Sequence, residues 1–361
     1  MSEMTEKNTQ VFSDRLAGFS AQANEFEFML AEQLIAKLDL TTHNCVVLNR
    51  DLLPYALYKV DSSVIYDALI RWIQQRTLPV SRKHSTSILK ACGLSGVSDI
   101  EVLLRNFHAL SLTDNYWFKE ANSNLTYESI NLYDNSFNEL VTVALHGELN
   151  LSLRDNSPDL NLRGNLAKCY KREDSGIYLY KTSHQERVYA EVFASKLALH
   201  CGFDAVRYVQ THHKKKLCSK CPLETTAQIS WVPARDITLA GIDPKSAALK
   251  LSPVRFYQML VFDYIAGNID RHNENWSFEM DNSGRLIGLS KLYDFDNCFL
   301  ADSKTTSLIT LHPLLQDAVF SANILRLTDE WFNKVYGFLN SQQNIFSKYA
   351  RERLATLRSY L

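Results

Sequence analysis

Apolar residues along the chain follow two different periods, and the change of period marks out its elements. Over residues 11–38, Phe12, Leu16, Phe19, Ala23, Phe26, Leu30 and Leu34 recur at steps of three and four. That is helical spacing, so an N-terminal helical extension over 1–42 is expected. Short apolar runs at 45–60 surround the turn-like NRDLLP. The stretch SSVIYDALIRWIQQR (62–76) predicts a helix that stops at Leu78-Pro79, because proline cannot continue it. Residues 85–110 read as two short helices separated by Gly93 and Gly96, and LSLTDNYWFKE (110–120) is aromatic. Together 43–150 form a mixed region without a catalytic signature.

From about residue 151 the texture changes. NLRGNLAKCYKREDSGIYLYKT (161–182) reads as a loop and then a hairpin turning at Asp174-Ser175-Gly176. In its second strand Ile177, Leu179 and Lys181 share one face, and Tyr178 and Tyr180 the other. A lysine on the apolar face needs an anionic partner. A helix follows at 184–200, with Glu186, Tyr189, Phe193 and Leu197 on one stripe and Glu191 beside it. A second hairpin is expected over 205–212 and 216–223, and the linker to the next unit near Pro222–Thr225. Ser252 and Pro253 then open a long helix that ends at Gly267. A polar loop, a turn at Asn282-Ser283-Gly284, a short strand and YDFDN come next, before a helical tail. These boundaries divide the chain into 1–42, 43–150, 151–225 and 226–361, the last two being an N-lobe with a phosphate loop and a helical C-lobe.

Composition narrows the classes. The chain has 361 residues, 46% hydrophobic and 22% charged, with a formal net charge of −1. Near-neutral charge gives no general attraction to nucleic acid or to a membrane surface. No run approaches the ~20 apolar residues of a membrane helix, and the polar MSEMTEKNTQ start has no apolar signal core. Seven scattered cysteines suit reduced thiols better than a disulfide framework, so a cytoplasmic protein is expected. Cys218 and Cys221 form a CxxC close to His212 and His213; both buried thiols and a zinc site are open readings.

The remaining polar residues form a parts list. In chain order come a glycine-containing loop ending in Lys168, then Lys181 on a strand, then Glu186 and Glu191 on a helix. Asp270 and Asn275 follow on one loop, and Asp294 comes last. Phosphoryl transfer from ATP needs this set, because its catalysis is mostly positioning and charge neutralisation. Lysine and loop backbone hold phosphates, an aspartate takes the hydroxyl proton, and oxygen ligands from Asn and Asp suit Mg²⁺. Asp270 and Asn275 are five positions apart, the separation found between the catalytic Asp and metal-binding Asn of protein kinases. Each residue alone has an ordinary surface explanation; the complete set in this order does not.

These motifs resemble those of the HipA-type serine/threonine kinases, bacterial enzymes with a protein-kinase-like two-lobe fold. The resemblance covers roughly residues 45–310 and rests on NLRGNLAKCYKREDSGIYLYKT, IAGNIDRHNENWSF and KLYDFDNCF. It extends to LIRWIQQRTLPVSR (69–82) and LSLTDNYWFKE. It implies an α+β fold with a mixed N-terminal region and a helical C-terminal lobe. It also implies ATP and Mg²⁺ dependence, a protein substrate that can be the chain itself, and an antitoxin-type partner. Carried over by motif, Asp270 is the catalytic base, and Arg163, Gly164, Asn165, Leu166, Ala167 and Lys168 form the phosphate loop. Lys181 is the nucleotide lysine, His272 to Asn275 the nucleotide and metal loop, and Tyr293 and Asp294 the second metal motif. Two positions depart from the pattern. Asn165 stands where some members carry a phosphorylatable serine, and Asp296 replaces the glycine of the general kinase motif. Both Glu186 and Glu191 can partner Lys181. Ser303, Thr305, Thr306 and Ser307 are candidate regulatory phosphosites. The D-R-H-x-x-N motif is also similar to that of phosphatidylinositol kinases, so a lipid kinase is an alternative reading. A nucleotide-binding pseudokinase or DNA-binding partner module is another.

Overall fold

The computed structural model describes residues 24–79, 81–94, 100–149, 157–162, 164–299 and 308–361, with backbone alone over 308–311. It begins with strands, not a helix. β1 (Glu25–Leu30), β2 (Gln33–Asp39) and β3 (Asn44–Val47) join β4 (Tyr116–Glu120) in an antiparallel sheet ordered β3-β2-β1-β4. The expected helix over 11–38 is therefore corrected for the part that is described; residues 1–23 lie outside it. The reason is in the spacing. Phe26, Leu30 and Leu34 are four apart, which satisfies a period of two as well as one of 3.6. Phe26, Phe28 and Leu30 all point inward with at most 1% exposure. The turn places Ala31 at φ +48°, and its carbonyl accepts the Trp117 indole N–H at 2.7 Å. Because β1 pairs with β4, the sheet takes strands from both sides of residue 42.

Helices follow in the same region: α1 (Ile65–Arg76), α2 (Ser85–Ala91), α3 (Ile100–Phe107), α4 (Tyr127–Ile130) and α5 (Val141–His146), of which α1 packs on β3 and α3 on β4, while α2 packs on α5. Gly96 lies outside the described residues. The next unit is a second four-stranded sheet. It contains β5 (Ala167–Glu173), β6 (Gly176–Thr182), β7 (Val209–His213) and β8 (Lys216–Pro222), in the order β5-β6-β8-β7. The helix α6 (Gln185–His200) crosses between β6 and β7 and packs on β8. Both expected hairpins are present, although β7 starts later than 205.

After β8 the chain enters the larger lobe. Here β9 (Ile229–Pro233), β10 (Ser277–Asp281) and β11 (Leu286–Leu289) form a three-stranded sheet. Around it lie α7 (Ala234–Leu239), α8 (Pro244–Leu251), α9 (Pro253–Ala266), α10 (Leu308–Leu325), α11 (Asp329–Ser341) and α12 (Ile345–Ser359). The lobe is thus helical with a small three-stranded sheet. Ser252 precedes α9 as expected, but its hydroxyl does not cap the helix. It accepts the Leu289 N–H at 3.0 Å and so ties α9 to β11. The Asn282-Ser283-Gly284 turn joins β10 to β11, with Gly284 at φ +78°. One hydrophobic cluster runs from β1 through α6 and α9 to α12, and a smaller one joins Trp117 and Tyr127 to Tyr170 and Ile177. Among the described residues no helix is long and apolar enough to cross a membrane.

Candidate active site

Antiparallel pairing sets the first half of the site. β5 and β6 put Lys168 directly opposite Lys181, and β8 puts Ser219 opposite Lys181 on the other side. Lys181 is 6% exposed, so its ammonium must be paired. It donates to Glu191 Oε1 at 2.7 Å and to Asp294 Oδ1 at 2.8 Å, and it lies 5.2 Å from the Tyr208 ring centre. Glu191 is 1% exposed and also accepts from the Ser219 hydroxyl. Glu186 is exposed in the first turn of α6. The choice left open by the sequence is therefore settled for Glu191. Stripe periodicity had favoured Glu186, and the buried acid sits beside that stripe because α6 turns this side toward the sheet.

Burial works against the Lys181 charge, but Asp294 and Glu191 outweigh it and hold the lysine well above its ordinary range. Asp294 shows the same contest. Burial would raise its carboxyl, while the charges of Lys181 and Lys168 bring it down to about 2. Its backbone is left-handed at φ +59°, a conformation that costs a non-glycine residue about 1–2 kcal/mol. Strain of this kind persists where the surroundings enforce it. Phe295 supplies that enforcement: fully buried, it lies edge-on to Phe262 of α9 at 5.3 Å and to Tyr208 at 5.9 Å. The left-handed residue is thus Asp294 itself. Asp296, at the position of the missing glycine, is buried, and Arg187 Nη1 lies 3.5 Å from it.

The phosphate-loop candidates divide. Gly164 has φ +96°, and a Cβ there would lie 2.5 Å from Lys168 Nζ, so the lysine folds back under the loop. Burial and the neighbouring Lys181 push the Lys168 ammonium down to about 8. Asn165 is anchored from the N-terminal region: its carbonyl accepts the Lys83 N–H at 3.0 Å and its side chain the Ser81 hydroxyl at 2.7 Å. Leu166 is half-buried, while Ala167 is fully buried in β5 opposite Thr182. Arg163 lies outside the described residues. Sequence reasoning missed Arg82. Its buried guanidinium donates to the carbonyls of Asp159 at 3.2 Å and Leu162 at 3.0 Å, and to that of Lys168, gripping both flanks of the loop.

The second half of the site hangs from the end of α9, which closes at Gly267 with φ +60°. Asp263, in the last turn, takes both carboxylate oxygens to the Arg271 guanidinium, with Nη2 at 2.9 Å. The same Arg271 donates through Nη1 to the carbonyls of Asn275 at 2.6 Å and Tyr293 at 2.9 Å. One buried arginine therefore ties the end of α9, the 270–275 loop and the segment at Tyr293 together. No single-residue sequence signal marked it, because arginine beside an aspartate reads as an ordinary surface pair. Asn275 Nδ2 donates to the Asp270 carbonyl at 2.8 Å, so the amide nitrogen is engaged within its own loop. Asp270 Oδ2 accepts the Asn297 amide at 2.6 Å. His272 is half exposed, with Nε2 3.9 Å from Asp270 Oδ1, and its Nδ1 accepts the Glu274 N–H at 3.2 Å. The Tyr293 hydroxyl pairs with Ser277 at 2.7 Å, and its ring lies 4.9 Å from that of Trp231.

The Ser303, Thr305, Thr306 and Ser307 proposal lies outside the described residues. The CxxC has an answer in geometry. Cys218 and Cys221 lie on β8 an odd number of residues apart, so they point to opposite faces and cannot share one ion. All seven cysteines are buried free thiols. Among the described residues no cluster of three or more His, Cys, Asp or Glu side chains could hold a metal. Mg²⁺ does not require one, since it takes one or two carboxylates and completes its shell with phosphates and water. An all-oxygen set from Asp294 and Asn275, beside two lysines, fits that pattern.

No family model matches the sequence, and no curated protein matches it. The fold does have solved counterparts. One is HipA of Shewanella oneidensis MR-1, in the structure of a toxin–antitoxin system of HipA, HipB and operator DNA. It matches with a TM-score of 0.54 at 12% identity, over 93% of this chain and 96% of that one. The proinflammatory kinase CtkA of Helicobacter pylori is similar at 18% identity over 54% of this chain and 90% of that one, with a TM-score of 0.40. Near-complete coverage in both directions by the first means that the N-terminal sheet and both lobes share its arrangement. The chain has the HipA-like, kinase-type two-lobe fold.

Proposed function

We propose that the chain is an ATP- and Mg²⁺-dependent kinase of HipA-like type that phosphorylates protein serine or threonine hydroxyls. The observation that carries this reading is Lys181 held between Glu191 and Asp294. A buried lysine joined to a helix glutamate and to a strained aspartate is the arrangement phosphoryl transfer requires, and a structural ion pair would not need the third member. Lys181 and Lys168 would neutralise the phosphates, with the Gly164–Asn165 backbone close above them. Asp294 and Asn275 Oδ1 would hold Mg²⁺, whose chemistry is to offset charge on the transferring phosphoryl group. Asp270 would accept the proton of the attacking hydroxyl. The new bond from that oxygen to the γ-phosphorus forms as the bond to the β,γ-bridging oxygen breaks, and ADP leaves.

Tyr293 and His272 line the approach, Tyr293 through its bond to Ser277 and His272 at the open edge beside Asp270. The similar HipA occurs with HipB and operator DNA, so an antitoxin-type partner is proposed for this chain too. Incubation with γ-labelled ATP and Mg²⁺, alone, with bacterial lysate and with phosphatidylinositol vesicles, tests the substrate class. Label on a protein supports the reading. Label on lipid alone overturns it in favour of a lipid kinase, and bound nucleotide with no transfer overturns it in favour of a pseudokinase.

A further inference from the structure

The metal motif and the catalytic loop meet at a residue the kinase reading does not use. Asn297, three residues after Asp294, donates its amide Nδ2 to Asp270 Oδ2 at 2.6 Å. The Asn275 amide lies farther from the same oxygen, at 3.5 Å, and spends its good bond on the Asp270 carbonyl. Asp270 Oδ1 takes no hydrogen bond from any described residue; His272 Nε2 stands 3.9 Å away. The two oxygens are therefore unequal, one bound and one open.

The donor is rigidly held. Phe295, Cys298 and Phe299 around it are at most 1% exposed. The Cys298 N–H bonds the Phe295 carbonyl at 3.0 Å, and the Phe299 N–H bonds Ala266 at the end of α9 at 2.9 Å. Asp270, by contrast, sits on a half-exposed loop, and its own N–H makes only a 3.3 Å bond to Asn268. A carboxylate on such a loop rotates about its last torsion unless a fixed donor selects one orientation.

We propose that Asn297 is a positioning residue for phosphoryl transfer: its amide locks the Asp270 carboxylate so that Oδ1 faces the acceptor hydroxyl. The inference rests on Asp270 being the base of a kinase. A general base must lie within hydrogen-bond reach of the proton it takes, and small misplacements are costly. The segment that carries the metal aspartate thereby also sets the base, so both halves of the site are registered by one short stretch of chain.

The test uses the full chain with γ-labelled MgATP, scoring transfer to itself and to casein, beside MgADP affinity by fluorescence titration and thermal melting. Asn297→Ala and the isosteric Asn297→Asp should lower kcat about 10–100-fold. MgADP affinity and the melting temperature should stay within twofold and about 2 °C of wild type. Asn297→His, which returns an N–H donor at similar reach, should recover most of the rate. Full turnover in Asn297→Asp overturns the proposal while leaving the kinase reading intact. So does a loss of MgADP affinity equal to the loss of rate, which would make Asn297 a nucleotide or metal ligand. A wild type that transfers no phosphate overturns both together.

Discussion

Lys181 Nζ stands 2.8 Å from Asp294 Oδ1, a bond that joins the four-stranded β5–β8 sheet to the segment after β11 across 113 residues of chain. The same nitrogen holds Glu191, so each of two acids depends on one buried cation. Lys181→Met would strand Glu191, which is 1% exposed, with only the Ser219 hydroxyl. Removing one member of such a buried pair costs about 3–5 kcal/mol. Urea denaturation should show that loss, and MgADP affinity should fall with it. Adding Glu191→Gln should recover part of the stability and none of the affinity.

Asp294→Ala is expected to behave differently. Its side chain is about a third exposed, so the fold should tolerate the change. Nucleotide affinity should lose its dependence on Mg²⁺, and turnover should go with it. Calorimetric titration with ADP, with and without Mg²⁺, reads both effects.

Lys168 gives a pH dependence. Burial and Lys181 lower its ammonium to about 8, so it carries charge at pH 7 and loses it as pH rises through about 8. Because the folded value lies below the ordinary lysine value, its contribution to stability is largest at high pH and is lost as pH falls through about 8. Phosphate binding runs the other way, since only the charged form attracts phosphate. ADP affinity should therefore weaken between pH 7 and 9. Lys168→Arg, which stays charged over that range, should flatten the profile.

Arg271 and Asp263 supply a stability prediction. Arg271→Ala leaves the 2%-exposed Asp263 carboxylate with the Asn268 amide alone and should cost about 3–5 kcal/mol. The variant should also lose turnover, because the Asn275 and Tyr293 carbonyls lose their shared anchor. Asp263→Asn combined with Arg271→Met should regain much of the stability while activity stays low. Equilibrium unfolding in urea, beside a transfer assay, separates the two.

What could be read from the sequence was whatever rests on local spacing. The β5–β6 hairpin, α9, the β10–β11 turn and the positions of Lys181, Asp270, Asn275 and Asp294 all follow from short-range pattern and order. What failed depended on partners far away in sequence. Four-residue steps at Phe26, Leu30 and Leu34 fit a helix and a strand alike, and only pairing with β4 decides between them. Glu191 was ambiguous because its burial comes from β8, and Ser252 looked like a cap because nothing local announced Leu289. Arg82, Arg271 and Asn297 act through backbone carbonyls or a single carboxylate, contacts that leave no motif.

The proposed kinase activity depends most directly on Asp270 as the base for transfer of the γ-phosphoryl group. The measurement is single-turnover transfer from γ-labelled MgATP by the wild-type chain and by Asp270→Ala, with MgADP affinity measured on the same samples. Wild type should transfer label, the variant should be at least about 100-fold slower, and nucleotide affinity should be nearly unchanged. Equal transfer by both proteins would rule out Asp270 as the base.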